Sequence, residues 1–208
     1  MIQFKGKPIL QHNVELCKNY AIDILFINTH HLREQITSFF GDGSRFGVSI
    51  SYSYEPELLG TSGALKNFES ELSKDAFYII YGDNYSNFDL SALKTKNEQH
   101  SALGTIAFHH REDTTESGVA EFNADLRIKR FVEKPKDGET ESHWVNAGIY
   151  YLTPKILEYI PPGHSDFGQD IFPLLLKMKL PLYGVCKNVP VKAFDTREMY
   201  DRSMKSSE

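Results

Sequence analysis

The sequence predicts an α/β fold: a Rossmann-like, mixed and mainly parallel sheet flanked by helices. Two observations support this prediction. Segments with helical spacing alternate with short apolar strands through the first half of the chain, which is typical of parallel strands joined by right-handed crossovers. The second half has more strands and tight turns and closes on a helix. The 208 residues are enough for one such domain with a well-filled core.

The elements of the first half follow from the spacing of apolar residues and from helix-ending glycines. Apolar side chains recur at helical spacing from Ile9 to Cys17, directly behind Pro8, a residue type favoured in the first turn of a helix. A second helix over 32–40 is ended by Gly41-Asp42-Gly43. The other elements predicted here are strands at 22–27, 48–52 and 77–81 and a helix near 62–72.

Short apolar runs bounded by turn residues predict the strands of the second half. Asn123-Ala124-Asp125 is a tight turn, and Pro161-Pro162-Gly163 ends a short helix. The predicted strands are 103–109, 118–122, 126–132, 144–152, 182–185 and 191–194, and the predicted helices are 154–160, 167–177 and one that starts at Thr196.

Composition and charge exclude several classes of protein. The formal net charge of -5 argues against a general nucleic-acid surface, which requires a basic face, but it allows a small phosphate ligand. Cys17 and Cys186 have neither metal-binding nor CxxC spacing, so we expect buried thiols in a reducing cytoplasm. No apolar run approaches a membrane span, and no signal peptide opens the chain. We expect a cytoplasmic protein that contacts neither nucleic acid nor membrane; formation of a homo-oligomer is left open.

One strand end carries a candidate metal ligand. The run 77–81 is apolar or aromatic throughout, which predicts a strand buried on both faces, and it leads directly into Gly82-Asp83-Asn84. Open α/β sheets bind ligands at the carboxyl ends of their strands, and we expect Gly82 to allow a sharp turn that projects the Asp83 carboxylate there. Mg²⁺ binds through one or two carboxylates together with substrate phosphates. From this segment alone, a helix-capping Asp83 is the alternative.

Further segments place polar groups at predicted strand and helix ends. The small residues of 59–65, LGTSGAL, let backbone N–H groups approach a ligand, although a plain helix cap at Thr61 or Ser62 is the alternative. Glu133-Lys134 precedes Pro135, which we expect to hold the chain extended.

Two more segments complete the set. Asn146-Ala147-Gly148 interrupts an apolar strand, which indicates close approach of a ligand. Asp195 is a second acid at a predicted strand end. For Asp166 and Asp170, near a predicted helix start, capping and a ligand-binding role are both open.

Taken in order, these segments resemble the sugar-1-phosphate nucleotidyltransferases, also called nucleotide-sugar pyrophosphorylases. The family pattern runs LGTAGAL, GD, a Gly-Val-Val-like strand, EKP, NAG-Ile-Tyr and a late Asp. The match covers most of the chain and is nearest to the short mannose- or heptose-1-phosphate guanylyltransferases. The corresponding segments here are LGTSGAL at 59–65, Gly82-Asp83, Gly118-Val119-Ala120, Glu133-Lys134-Pro135, Asn146-Ala147-Gly148 and Asp195.

The resemblance implies the nucleotide-diphospho-sugar transferase fold and a single domain over 1–208. Its nucleotide-binding half would lie at about 1–100 and its sugar-binding half at about 101–208. The implied reaction joins a nucleoside triphosphate, with GTP favoured, to a mannose- or heptose-like sugar-1-phosphate and releases pyrophosphate. The sugar phosphate attacks the α-phosphorus, a step that needs in-line positioning and charge neutralisation.

The resemblance also implies a role for each candidate residue. Asp83 and Asp195 would hold Mg²⁺, and Lys134 would neutralise the sugar phosphate, which makes these three the implied catalytic residues. The implied nucleotide-binding residues are Glu55, Leu59, Gly60, Thr61, Gly63, Gly82 and Asp83, and the implied sugar-binding residues are Gly118, Glu133, Lys134 and Asn146.

The family pattern begins with a strand and a GxGTRLxP phosphate loop, and Met1 stands at the position after them. We therefore expect a sheet without its first strand and a weakened phosphate cradle. A non-catalytic homologue that binds nucleotide or sugar as a regulatory subunit is the main alternative. A metal-dependent glycosyltransferase would require an Asp-x-Asp pair where the chain has Asp83-Asn84-Tyr85, and a receiver-like domain does not fit the length.

Overall fold

The computed structural model describes residues 1–194 and residue 200. Within this part of the chain the strands are β1 (Gln3–Phe4), β2 (Lys7–Pro8), β3 (Ile24–Thr29), β4 (Ser49–Tyr54), β5 (Phe77–Ile80), β6 (Asn84–Ser86), β7 (Gly104–His110), β8 (Gly118–Phe122), β9 (Ile128–Glu133), β10 (Trp144–Leu152), β11 (Leu182–Cys186) and β12 (Val191–Ala193).

Short helices connect these strands. None of the helices in the described ranges is both long enough and apolar enough to cross a membrane. The α-helices are α1 (Ile9–Asn19), α2 (Arg33–Phe40), α3 (Gly60–Gly63), α4 (Glu69–Leu72), α5 (Leu90–His100) and α6 (Phe172–Lys177); 3-10 segments lie at Ser44–Phe46, Ala64–Phe68 and Pro154–Tyr159, and a π turn lies at Phe167–Ile171.

The chain forms two compact units, and each unit is built from segments that are separate in sequence. The first unit contains Met1–Leu58, Ile80–Asn87 and, in the described part of the chain, 190–194 with Tyr200. The second contains Leu59–Ile79 and Phe88–Val189. The single domain over 1–208, with halves meeting near 100, stays a prediction.

In the first unit, two parallel strands support two amphipathic helices. β3 and β4 pair in parallel from Ile24 opposite Ser49 to Thr29 opposite Tyr54. Val14 of α1, Phe40 of α2 and Ile50 of β4 share one buried cluster. α2 ends at Gly41, whose φ of 58° lies in the left-handed region, so the predicted glycine stop is confirmed.

A second cluster of the first unit contains β12, which was predicted, and the short strands β1, β2 and β6, which were not. β1 and β2 form an antiparallel hairpin, and β6 pairs antiparallel with β12. The ring of Phe4 lies 4.8 Å from the ring of Tyr85 and 5.2 Å from that of Phe194. Strands of two or three residues are too short for hydrophobic periodicity to reveal them. The predicted closing helix from Thr196 begins outside the described residues.

The larger sheet belongs to the second unit and has the order β11-β7-β10-β8-β9, with β5 also paired to β10. β7 runs parallel to β11 but antiparallel to β10, and β8 is antiparallel to both β10 and β9. The predicted mixed α/β class is confirmed. The expectation that parallel pairs would dominate does not hold within this sheet, because short turns such as the one between β8 and β9 can join only antiparallel neighbours.

One helix of the second unit was missed, and one strand is less buried than predicted. α5 packs against β7 and β11 and buries Leu90 and Leu93 completely. Its start is marked by Asp89, whose Oδ1 accepts a hydrogen bond from the backbone N–H of Ser91, a capping signal that was available in the sequence. The residues of β5 are half-buried rather than buried on both faces, and β10 is the partner of β5 among the described strands.

An aromatic cluster joins β9, β10 and the segment that contains the π turn. The ring of Phe172 lies 5.2 Å from those of Phe131 and Tyr150 and 5.3 Å from that of Phe167. Phe167, Tyr150 and Phe172 are fully buried. This packing fixes the end of β9 against the start of the π turn, and Glu133 lies at that junction.

Candidate functional site

Asp83 lies in the first unit, in the turn between Tyr81 and β6. The turn is closed by a hydrogen bond from the N–H of Asn84 to the carbonyl of Tyr81, 3.2 Å, and that carbonyl also accepts from Asn13 Nδ2 at 3.2 Å. Asp83 is exposed and is followed by a strand, so it does not cap a helix. An exposed carboxylate at a turn can bind a metal together with a ligand from solvent.

The chain turns at Gly82 as expected, but the turn does not depend on a glycine. Its φ lies outside the left-handed region, and an added methyl group would make only an ordinary contact, 3.6 Å from Leu10 Cδ1. The expected turn is present, and its backbone geometry is also compatible with other residue types.

The predicted metal partner of Asp83, Asp195, lies outside the described residues. Within the described residues, the strand that follows Asp83, β6, pairs with β12, and Ala193 stands opposite Asn84. The described residues contain no group of three or more His, Cys, Asp and Glu side chains able to hold a metal ion. A carboxylate such as Asp83 is nevertheless a hard oxygen donor of the kind Mg²⁺ takes in ones and twos, with substrate phosphates completing its shell. The donor set therefore fits Mg²⁺ rather than a metal enclosed by protein ligands alone.

Glu55 also lies in the first unit, directly after β4. It is only 2% exposed, its N–H donates to the carbonyl of Thr29 at 2.8 Å, and its carbonyl lies 2.7 Å from His30 Nδ1. Glu55 is therefore not a solvated charge at the end of the strand, although its type and position would allow one. Its implied role toward the nucleotide stays a prediction.

The carboxylate of Glu133 is enclosed by two glycines of the second unit. Glu133 ends β9 opposite Gly118 of β8. A methyl group at Gly118 would lie 2.7 Å from Glu133 Oε2, and one at Gly168 would collide with the same atom. Burial raises the pKa of Glu133, the ammonium of Lys134 lowers it, and the carboxylate of Asp166 raises it further. Because Gly118 and Gly168 have no side chains, there is space between them for the carboxylate of Glu133.

Lys134 follows Glu133 in a conformation that its proline neighbour did not predict. Its φ is 48°, in the left-handed region, instead of the extended backbone favoured before Pro135. The N–H of Lys134 donates to the carbonyl of Ser117 at 3.2 Å, which continues the pairing of β8 and β9 by one residue. Such backbone conformations cost of order 1–3 kcal/mol in residues other than glycine and concentrate at functional sites. The Lys134 side chain is exposed and open to an anionic ligand.

Asn146 lies in a β-bulge. The register of β10 against β7 shifts between Asn146 and Tyr150, and Gly148 adopts a φ of 68°. Asn146 Nδ2 donates to Tyr150 Oη at 2.8 Å, and its Oδ1 accepts from the N–H of Gly148 at 3.0 Å. A side-chain amide has two donor hydrogens and two acceptor lone pairs, so these bonds use half of its capacity. In the sequence, Gly148 indicates close ligand approach, but the β-bulge also favours a glycine at this position.

The LGTSGAL segment is held by residues more than 100 positions away. The N–H groups of Ser62 and Gly63 both donate to the carbonyl of Ser165, at 3.0 and 3.1 Å, and the N–H of Ser165 donates to the carbonyl of Leu59 at 3.0 Å. A methyl group at Gly60, whose φ is 73°, would collide with the carbonyl of Ser165. Gly60 therefore allows two backbone segments to approach closely. The N–H groups of Ser62 and Gly63, which were expected to face a ligand, already have acceptors within the protein.

Asp166 completes this connection. Its Oδ1 accepts from both the N–H and the Oγ1 of Thr61, at 2.9 and 3.0 Å, and Thr61 Oγ1 accepts from the N–H of Phe167 at 2.9 Å. Neither Thr61 nor Ser62 caps a helix with its side chain. The sequence left capping and ligand binding open for Asp166; it missed the pairing with Thr61 and the contact of Gly168 with Glu133, because neither has a local pattern.

The predicted site residues are thus divided between the two units, and the implied nucleotide-binding residues are found in both of them. The second unit brings together Gly118, Glu133 and the Gly168 backbone, and it joins the LGTSGAL segment to Asp166. Asp83 and Glu55 belong to the first unit. The implied roles of all these residues toward substrates stay predictions.

Comparisons with known proteins agree with the predicted family. The model of the nucleotidyl transferase family matches residues 1–189. The chain is 34% identical to a UTP–glucose-1-phosphate uridylyltransferase of Synechocystis sp. over 199 residues, which is 89% of this chain and 51% of that protein. It is 29% identical to a mannose-1-phosphate guanyltransferase of Candida albicans over 184 residues, 86% of this chain and 50% of that protein. The chain spans about half the length of these curated relatives.

Solved structures show the same fold. UDP-glucose pyrophosphorylase in complex with UDP-glucose matches with a TM-score of 0.81 and 17% identity, covering 100% of this chain and 89% of that chain. At this identity the likeness concerns the fold alone, and it confirms the predicted nucleotide-diphospho-sugar transferase fold.

Proposed function

Because this chain belongs to the nucleotidyl transferase family, we propose that it transfers a nucleotidyl group from a nucleoside triphosphate to a sugar-1-phosphate and releases pyrophosphate. Both of the curated relatives described above bear names of sugar-1-phosphate nucleotidyltransferases, which supports this reaction class. The chemistry needs few specialised groups, since an in-line displacement at phosphorus depends mainly on positioning and on neutralisation of charge.

The observation that carries the proposal is the surroundings of Glu133. A half-buried carboxylate between two glycines, followed by an exposed lysine, offers a hydrogen-bond acceptor for sugar hydroxyls beside a cation for a phosphate. Glu133 would accept from the hydroxyls, and Lys134 would balance the charge of the attacking sugar phosphate. Asn146, with half of its amide capacity in use, would add a donor or acceptor on the sugar side.

A divalent cation would complete the nucleotide side. Asp83, with Asp195, would hold Mg²⁺, and the ion when bound supplies charge neutralisation at the nucleotide phosphates. Glu55 and the Leu59–Gly63 segment would contact the nucleotide, with the base read through backbone groups.

We further propose GTP with a mannose- or heptose-like sugar-1-phosphate as substrates, an assignment supported by the guanyltransferase relative. UTP with glucose-1-phosphate is the second candidate pair, because the uridylyltransferase relative is 34% identical.

The two free thiols, Cys17 and Cys186, have pKa values raised by burial to about 11 and about 12. Thiols of this kind are inert, which is compatible with a cytoplasmic protein.

The substrate proposal is tested by pyrophosphate release from the 208-residue chain. GTP, UTP, CTP and dTTP are each combined with mannose-, glucose- and heptose-1-phosphate in the presence of Mg²⁺. Release with the GTP–mannose or GTP–heptose pair is the expected result, and faster release with UTP and glucose-1-phosphate would replace it by the second candidate. Thermal stabilisation by a nucleotide without release from any pair would contradict catalysis and favour a binding subunit.

The metal proposal is tested by Asp83→Asn. We expect turnover to fall on the order of 100-fold, as for loss of one preorganised electrostatic contact, while the thermal midpoint stays close to that of the parent. Asp42→Asn is the matched control, since Asp42 is an exposed turn residue of the same unit, with its Oδ1 accepting from the N–H of Ser44 at 3.0 Å. Full activity of Asp83→Asn at limiting Mg²⁺ would refute the role.

A further inference from the structure

The segment 163–168 contacts two of the candidate ligand-binding motifs of the second unit, LGTSGAL and Glu133-Lys134. It leads into the π turn at Phe167–Ile171, in which the N–H groups of Asp170 and Ile171 both donate to the carbonyl of Asp166, at 3.0 and 3.1 Å. π turns are rare and frequently occur at functional sites. We call 163–168 the connecting segment.

On one side, the connecting segment fixes the LGTSGAL loop by backbone and side-chain bonds. Ser165 accepts from two N–H groups of the loop and donates its own N–H to Leu59. The hydroxyls of Ser62 and Ser165 lie 2.8 Å apart, and both residues are buried, at 0% and 1% exposure. Buried polar groups satisfied in this way hold one geometry, because any displacement leaves them without partners.

On the other side, the connecting segment touches the carboxylate of Glu133. The backbone of Gly168 lies directly against Glu133 Oε2, and the charge of Asp166 acts on Glu133. Asp166 uses Oδ1 for the bonds to Thr61, and its Oδ2 lies 3.8 Å from Nε2 of the exposed His164. The charged groups around Glu133 are thus Lys134 from its own strand end and Asp166 from the connecting segment.

We infer that Asp166 is a positioning residue of the transfer reaction: it ties the Leu59–Gly63 segment to the connecting segment, which in turn fixes Glu133. This inference rests on the proposed function, in which Leu59–Gly63 faces the nucleotide and Glu133 faces the sugar. The connecting segment then positions both the nucleotide-binding segment and Glu133, so a change at Asp166 alters the binding of both substrates. In this role Asp166 acts through Thr61 and the connecting segment and need not contact either substrate.

The main variants separate the hydrogen bonds of Asp166 from its charge. Asp166→Ala removes the acceptor for Thr61, and Asp166→Asn keeps an acceptor oxygen but removes the charge. Thr61→Val removes the hydroxyl that bonds to Asp166, whereas Thr61→Ser retains a hydroxyl and should lose less activity than Thr61→Val. Asp89→Ala is the matched control, because Asp89 Oδ1 accepts the N–H and Oγ of Ser91 at 3.0 and 2.6 Å in the same unit.

The kinetic readout is kcat and the KM of each substrate, measured with the thermal midpoint. Asp166→Ala and Thr61→Val are expected to raise both KM values and lower kcat/KM on the order of 10-fold or more, since small misplacements of binding groups are costly. Asp89→Ala should lower the thermal midpoint and leave kcat/KM unchanged. An equal loss of kcat/KM in Asp89→Ala, or a change in only one KM, would overturn the inference.

A second readout does not depend on turnover. The carboxyl carbon of Glu133 is titrated by NMR in the parent and in Asp166→Asn, and the pKa of Glu133 should be lower in the variant, because a negative neighbour has been removed. If no substrate pair turns over in the parent, the proposed function fails. The titration still tests whether Asp166 acts on Glu133. An unchanged pKa in folded Asp166→Asn would refute the contact between the connecting segment and Glu133.

Discussion

His109 couples the stability of the second unit to pH. It lies in β7 opposite Val145 of β10 and is only 6% exposed. Burial, together with the smaller effects of the positive charges of Arg111 and His110, lowers the pKa of His109 from 6.5 to about 4. The folded protein therefore keeps His109 neutral over a range of pH in which the unfolded chain is protonated.

The size of the effect follows from these two values. Between pH 6.5 and about 4 the unfolded chain binds a proton that the folded chain does not, so stability is lost as the pH falls through this range. At 1.36 kcal/mol per pKa unit the full loss is about 3 kcal/mol. Most of it, about 2 kcal/mol, is lost between about pH 7 and about pH 5.

Urea unfolding at about pH 7 and about pH 5 measures this contribution. The free energy of unfolding of His109→Gln should fall between the two pH values by about 2 kcal/mol less than that of the parent. His110→Gln is the control on the same strand, since the His110 side chain is 41% exposed. The same pH-dependent loss in the parent and in both variants would refute the argument from burial.

Two further substitutions test the packing and the cap of the second unit. Phe172→Ala should lower the free energy of unfolding by about 3–5 kcal/mol, because removal of a fully buried ring leaves a cavity. Leu174 is 40% exposed on the same helix, so Leu174→Ala should cost far less. Equal costs of the two substitutions in urea unfolding would contradict the assigned core. Asp89→Ala should cost about 1 kcal/mol through loss of the α5 cap, measured in the same way, and an unchanged midpoint would show that the bond to Ser91 contributes nothing.

The elements that the sequence predicted well have local causes. α1 behind Pro8, the glycine stop at Gly41 and the strand Trp144–Leu152 depend on residues within a few positions of one another. The prediction failed where those local cues are weak: α5 has few apolar residues, which lie at its start, and β1, β2 and β6 are too short to show a period. The left-handed Lys134 went against the local rule for a residue before proline.

By itself, the sequence determined the family, the α/β class and the identity of the candidate residues, because these depend on the order and spacing of short motifs along the chain. The tertiary structure alone decided their surroundings. Thr61 and Asp166 are 105 residues apart and share two hydrogen bonds, and Gly168 meets Glu133 only because the rings of Phe131, Phe167 and Phe172 pack together. Contacts of this kind depend on how separate elements bury their apolar faces, and no local pattern encodes that arrangement.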